Sequence, residues 1–215
     1  MIHISNLVKY YGKICVLNDI NLNISKGEMV AITGKSGSGK TTLLNIISCN
    51  IIYDSGEYLF NGKSSASLDL LNYRRNVMGY IMQNPIMMNN WSVEKNIMIG
   101  IDMFHIKRMQ KINKFNEIVS TLKIENLVEK NVNQLSGGER QKIAIARTLI
   151  YPKQLLLADE PTGSMDSASA NDIMNIFTEL NKNGVTLIIV THDMDVAKRC
   201  NRKIEISDGS IISDN

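Results

Sequence analysis

An α/β fold built on a mostly parallel sheet is what this sequence predicts, and three observations predict it. Short apolar runs, Met29 to Thr33, Gln154 to Ala158, Thr186 to Val190 and Lys203 to Ile206, are separated by helix-like or turn-rich stretches, the pattern of parallel strands covered by helices. Ile2 to Val8, Leu17 to Ile24 and Glu57 to Phe60 instead alternate apolar and polar residues, with Lys26-Gly27-Glu28 and Asn61-Gly62-Lys63 as turns, which predicts a flanking antiparallel β layer. Between Pro85 and Gln134 the pattern turns helical and polar. The 215 residues therefore read as one domain: a core with its β subdomain over 1–84 and 136–215, and an inserted helical subdomain over 85–135. Ser213-Asp214-Asn215 reads as a short frayed tail.

The first of the apolar runs leads into Gly34-Lys35-Ser36-Gly37-Ser38-Gly39-Lys40-Thr41, a match to the phosphate-binding loop pattern G-x-x-x-x-G-K-[ST]. The match has physical meaning because of what flanks it. A buried parallel strand, Met29-Val30-Ala31-Ile32-Thr33, precedes it, and a helix starting at Thr42-Leu43-Leu44-Asn45 follows. The free N–H groups of that helix start, and its partial positive charge, attract a polyphosphate. Lys40 is placed to reach the β- and γ-phosphates and Thr41 to ligate Mg²⁺, while glycines let the backbone wrap without Cβ clashes.

Leu155-Leu156-Leu157-Ala158-Asp159-Glu160 is a strand ending in two acids, and open parallel sheets bind ligands at the carboxyl ends of their strands. An isolated Asp-Glu pair after a strand is as readily a helix cap; downstream of a phosphate loop it reads as chemistry. Asp159 is then a Mg²⁺ ligand, acting through water because Mg²⁺ sheds its hydration shell reluctantly. Glu160 is placed to polarise the attacking water. Ser136, Gly137 and Gly138 open a further helix that runs through Lys142 to Arg147, a second anion-binding helix start. One phosphate loop with two such helix starts implies that the second serves a neighbour's nucleotide.

Composition narrows the classes. A net charge of +3 with no long run of like charge gives no nucleic-acid footprint. Lys107, Arg108, Lys111 and Lys114 read as a solvated helix face. The three cysteines, Cys15, Cys49 and Cys200, are isolated, which suits reduced thiols in a cytosolic protein. The N-terminus lacks the layout of a signal peptide and no apolar run is long enough to span a membrane, so the chain by itself reads as soluble.

Leu135-Ser136-Gly137-Gly138-Glu139-Arg140-Gln141 resembles the signature sequence of ATP-binding cassette (ABC) ATPases, and the other elements of that family stand in order along the whole chain. The resemblance implies a P-loop NTPase core of the RecA-like type, ATP and Mg²⁺ as ligands, and ATP hydrolysis. It also implies a homodimer of cassettes packed head to tail, sandwiching two ATP molecules between each loop and the partner's signature. Tyr11, in Lys9-Tyr10-Tyr11-Gly12, looks like the aromatic that stacks on adenine, with Tyr10 as competitor. Gln83 matches the family glutamine that contacts Mg²⁺ and the water while hinging the helical subdomain, and His192 matches the switch histidine at the γ-phosphate. Ser164-Met165-Asp166 takes the place of the dimer-contact loop, where alanine and leucine usually precede the aspartate. The implied phosphate contacts extend over Gly34 to Thr42, and the implied catalytic set is Glu160, His192, Gln83 and Lys40.

Within the family, the signature together with Leu157-Ala158-Asp159-Glu160-Pro161-Thr162-Gly163 looks like the branch serving macrolide export, lipoprotein release and bacteriocin export. Tyr73-Arg74-Arg75-Asn76 and Trp91-Ser92-Val93-Glu94-Lys95-Asn96 resemble bacteriocin-export cassettes in particular. The alternative is a soluble ABC protein acting on ribosomes or DNA, but that class resembles fused cassettes or carries long coiled-coil insertions, which this sequence lacks. The transporter reading implies a membrane-spanning permease on a separate chain and a place on the cytoplasmic, inner face of the membrane. Met87, Met88 and Trp91 are candidates for the groove that receives it, internal packing being the other use for them.

Overall fold

The computed structural model describes residues 1–215. In chain order the elements are β1 (Ile2–Tyr11), β2 (Ile14–Ile24), β3 (Met29–Thr33), α1 (Lys40–Ile47), β4 (Ser55–Phe60), β5 (Lys63–Ser64), α2 (Leu70–Asn72), β6 (Met78–Ile81), α3 (Val93–Asp102), α4 (Arg108–Leu122), α5 (Gly137–Leu149), β7 (Leu155–Asp159), α6 (Ser167–Lys182), β8 (Thr186–Val190), α7 (Met194–Lys198), β9 (Arg202–Ser207) and β10 (Ser210–Asp214). They form two sheets. One has four antiparallel strands in the order β2-β1-β4-β5; the other has six in the order β10-β9-β3-β8-β7-β6, parallel except for the edge strand β10.

Strand alternation divides the interior into two cores. Leu155, Leu157, Ile188, Val190, Val30 and Ile32 project from one face of the six-stranded sheet into a core shared with α1 and the antiparallel sheet. Leu156, Ala158, Leu187, Ile189 and Met29 project from the other face, against Ile143, Ile145 and Ala146 of α5 and Ile173, Met174 and Phe177 of α6. A strand buried on both faces has to be apolar along its middle, which is why β3, β7 and β8 are near-continuous apolar runs, with Thr33, Asp159 and Thr186 only at their ends.

The segment between β6 and α5 holds α3, α4 and two short 3₁₀ turns. Its Val93, Ile97, Ile101, Ile118 and Val119 belong to the same core as the helix-covered face of the sheet. Gly100 lets α3 approach α5 closely: a Cβ there would lie 2.1 Å from the carbonyl oxygen of Arg147.

Two elements differ from the expectations above. Met78–Ile81 is a strand at the sheet edge, short and interrupted by Gly79. A Cβ on Gly79 would sit 2.7 Å from Cγ2 of Thr148, so this strand surrenders a side chain to let α5 pack. The C-terminus is not frayed. Ser210–Asp214 pairs antiparallel with β9, the backbone of Asn215 exchanges hydrogen bonds with Lys203, and the Arg202 guanidinium holds the Asp214 carboxylate through two bonds of 2.6 Å.

Candidate functional site

The C-terminal ends of β3, β7 and β8 converge on one cavity of about 690 Å³. Gly34, Lys35, Ser36, Gly37, Gly39, Lys40, Thr41 and Thr42 line one side of it, and Gln83, Asp159, Glu160 and His192 the other, with Val16 and Val190 as its apolar lining. Residues separated by more than 150 positions are thus brought to one place by the parallel sheet, as strand ends in an open α/β sheet dictate.

The loop is held in its wrapped form by close backbone approaches. Gly34 has φ 141° and a Cβ there would lie 2.0 Å from the Ile206 carbonyl oxygen. Gly39 has φ 103° and its Cβ would meet the Val16 carbonyl oxygen and Leu17 Cδ2, each at 2.7 Å. Gly39 is the N-cap of α1 and makes no side-chain cap bond, and no acid stands in the first turn. The helix start therefore presents bare N–H groups to the cavity. Lys40 is nearly buried, and its Nζ donates to the carbonyls of Gly34 and Lys35 at 2.9 and 2.7 Å. These features fit a polyphosphate, and Thr41, Gln83 and Asp159 fit a hard cation because they offer oxygen ligands alone.

The acids differ in environment. Burial pushes the Asp159 carboxyl above the usual carboxylate range, against the Thr41 hydroxyl, with the Glu160 charge raising it further and Lys40 lowering it. Glu160 sits at φ 46°, in the left-handed region, with its N–H on the Val190 carbonyl. Its Oε1 accepts the backbone N–H of His192 at 3.0 Å and Nδ1–H at 2.7 Å, and its Oε2 accepts the Thr191 hydroxyl at 3.3 Å. The hydrogen bond to Glu160, then its charge, raises the His192 imidazole above its ordinary value. Buried Thr191 also accepts the Asp193 N–H, so it pins both ends of the short turn that carries His192. Neither Thr191 nor Val16 stood out in the sequence, since Val16 is an ordinary strand residue and Thr191 an ordinary turn residue after β8 until the fold sets them beside Glu160 and the cavity.

Other expected site residues lie elsewhere. Ser38 does not line the cavity; its hydroxyl turns back to 3.5 Å from Lys40 Nζ. Tyr11 is half-exposed at the end of β1, outside the lining, with Lys9 Nζ 5.5 Å from its ring centroid. Tyr10 is similarly exposed. Ser136, Gly137 and Gly138 are also outside the lining. Ser136 caps α5 reciprocally with Glu139, and the Ser136 N–H holds the Glu139 carboxyl below its usual range. Gly138 packs on the Ser164-Met165 turn, where a Cβ would come 3.3 Å from the Ser164 carbonyl oxygen. Asp166 caps α6, accepting the Ser169 N–H.

Residues 17–163 match the family model described as ABC transporter. The chain belongs to the ABC transporter family. The macrolide export ATP-binding/permease protein MacB of Bartonella henselae is 42% identical over 205 residues, covering 94% of this chain and 31% of that protein. MacB of Acinetobacter baylyi is 40% identical over 221 residues, covering 100% of this chain and 33% of that one. The chain thus spans about a third of the length of these relatives. Its fold superposes on a dimeric bacterial ABC transporter cassette with a TM-score of 0.92 at 34% identity, covering 100% of this chain and 98% of that one. A post-hydrolysis cassette dimer bound to ADP and Pi gives 0.92 at 32% identity, with the same coverage. As an ABC cassette, this chain is a nucleotide-binding protein. No helix is long and apolar enough to cross a membrane.

Proposed function

We propose that this cassette binds and hydrolyses ATP to drive a membrane-spanning permease, exporting peptide, antimicrobial or other lipophilic substrates. One observation carries the reading: Lys40, Thr41, Gln83, Asp159, Glu160 and His192 share a single cavity, while the signature helix start at Ser136 to Gly138 lies outside it. A site split in this way calls for a second copy, whose Ser136 to Gly138 would close over the nucleotide held by the loop.

In this reading the amides at the start of α1 and Lys40 bind the β- and γ-phosphates, and Tyr11 or Tyr10 covers the adenine. Thr41, Asp159 and Gln83 would hold Mg²⁺, which would supply neutralisation of phosphate charge. Glu160 orients and deprotonates the attacking water, and His192 holds the γ-phosphate. Phosphoryl transfer asks the protein mainly for positioning and charge, which is what these residues offer. Residues 85–135 form the unit that moves with the signature, and the permease places the cassette at the inner face of the membrane. The relatives that match over the chain are export ATP-binding/permease proteins, which supports an export role.

The deciding experiment is light scattering on Glu160→Gln with ATP and Mg²⁺ and then with ADP, beside wild-type phosphate release. A dimer with ATP alone, together with wild-type turnover, is expected. A species that stays monomeric in both, with no phosphate released by the wild type, would overturn the shared-site reading.

A further inference from the structure

Gln141 stands on α5, five residues past the signature N-cap Ser136, and its side chain is fully buried. Its Nε2 donates to the carbonyl of Met82 at 3.0 Å, while its Oε1 has no hydrogen-bond partner. Met82 immediately precedes Gln83, which lines the phosphate cavity. A buried amide left half-satisfied costs free energy, so the one bond this side chain makes, to the Met82 carbonyl, is what it offers the fold.

The same segment is strapped again six residues later. Asn96 on α3 is also fully buried; its Oδ1 accepts the Met88 N–H at 2.9 Å and its Nδ2 donates to the carbonyls of Met88 and Ser92 at 3.2 and 3.1 Å. The stretch from Met82 to Met88 is thus fastened at its start by α5 and at its end by α3. Between the fastenings Gln83 is exposed to the cavity and carries no side-chain bond of its own that would fix it elsewhere. A 13-residue helix is a stiff lever, so displacing the Met82 carbonyl at its first turns displaces the helix start.

We propose that Gln141 is a positioning residue that couples, within one chain, the Gln83 segment to the signature helix. Nucleotide contact at Gln83 moves the Met82 carbonyl, Gln141 carries that displacement into α5, and the start of α5 is re-aimed toward a partner's nucleotide. This deepens the ATP-cassette reading and rests on it. The role differs from binding, because Gln141 lies outside the cavity lining.

Hydrogen exchange of the whole chain, with and without ATP and Mg²⁺, tests the coupling in wild type, Gln141→Leu and Gln141→Glu. In the wild type, nucleotide is expected to slow exchange over 34–42 and to alter it over 136–141. In Gln141→Leu the response over 34–42 persists, that over 136–141 is lost, and kcat falls roughly tenfold or more while ATP affinity holds. Gln141→Glu keeps a donor only while its buried carboxyl is protonated, so its kcat relative to wild type is expected to fall as pH rises. A residue that merely filled space would lose kcat and melting temperature in parallel as pH rises, whereas the coupling loses kcat at a pH where the melting temperature of Gln141→Glu still matches wild type. A wild-type response over 136–141 in Gln141→Leu, or a pH-independent kcat ratio in Gln141→Glu, overturns the inference while leaving the ATP reading standing. No wild-type response over 34–42 would sink the ATP reading and this inference with it.

Discussion

Nδ1–H of His192 donates to Oε1 of Glu160 across 2.7 Å, and the backbone N–H of His192 meets the same oxygen at 3.0 Å. With Thr191 on Oε2, the carboxylate proposed to activate water has donors on both oxygens. These bonds fix the His192 ring against the Glu160 carboxylate in the lining of the cavity. The histidine's raised pKa comes first from this hydrogen bond and then from the Glu160 charge. Because the folded value lies above the unfolded one, the pair stabilises the nucleotide-free fold below the unfolded pKa and loses that effect as pH rises through the folded value. NMR titration of His192 is expected to show an elevated pKa that returns toward the ordinary imidazole value in Glu160→Gln. An unchanged titration in that variant would mean that the ring does not pair with Glu160 in solution.

Asp159 bears the opposite strain. Its carboxylate is nearly buried, and burial raises its pKa, so charge on it costs stability in the absence of a cation. Asp159→Asn is expected to stabilise the nucleotide-free chain at pH 7 by about 1 kcal/mol, a gain of roughly 2–4 °C in Tm for a chain of this size. The sign follows from the raised folded pKa: the native state prefers the protonated form, and its advantage fades as pH climbs through that value. Differential scanning calorimetry from pH 7 down into the ordinary carboxylate range checks it, the gain shrinking toward the acid end. The same variant is expected to lose any extra stabilisation by Mg²⁺ with ATP; retention of that increment would remove Asp159 from the metal site.

The residues that meet at the cavity were legible in the sequence to the extent that their signals are local. Lys40 and Thr41 follow a strand and open a helix, and Asp159 and Glu160 end an apolar run, so pattern and neighbours suffice. His192 and Gln83 needed the family resemblance, because a lone histidine or glutamine after a strand carries no local signal. Strand β6 escaped notice because Gly79 breaks its apolar run for the sake of α5, a reason lodged 69 residues downstream at Thr148. The bond from Gln141 to Met82 spans 59 positions and is likewise invisible to any window along the chain. Tyr11 fits the motif, and the structure leaves it beside Lys9 and outside the cavity lining.

Trp91 is half-exposed and sits with Glu94, Lys95, Met98 and Asp102 around a shallow cavity of about 490 Å³ on the outer side of α3. Ile86 and Met88 are exposed close by in sequence, whereas Met87 packs against the helix-covered core, so internal packing claims Met87 and leaves the others free. An exposed tryptophan beside apolar and charged neighbours is the kind of anchor that dominates an interface. Trp91→Ala is expected to weaken assembly with the proposed permease about tenfold or more, with nucleotide affinity unchanged. Co-purification and a fluorescent-nucleotide titration read the two effects separately, and undiminished assembly would move the docking surface elsewhere.

Beyond its backbone pairing with β9, the C-terminal strand is fastened at its end by one cation. Arg202 reaches Asp214 with Nε and Nη2, each at 2.6 Å, and donates through Nη1 to Glu28 at 3.0 Å and to the Asn23 carbonyl at 2.7 Å. A planar guanidinium thereby ties β10 to β9 and both to the turn before β3, a geometry that lysine could not reproduce. The Arg202 bonds hold the Asp214 carboxyl below its usual range. A depressed folded pKa adds stability that is present above the unfolded value and is lost as pH falls through the folded one. The pair is partly exposed, so solvent screening limits it to about 1 kcal/mol. Asp214→Asn is therefore expected to lower Tm by roughly 2–4 °C at pH 7, with the deficit against wild type closing as pH drops below the ordinary carboxylate range. Parallel thermal melts of the two chains from pH 7 to pH 3 check this. A deficit constant across that window would show that Asn at 214 disturbs packing of the strand and that the ion pair contributes nothing measurable.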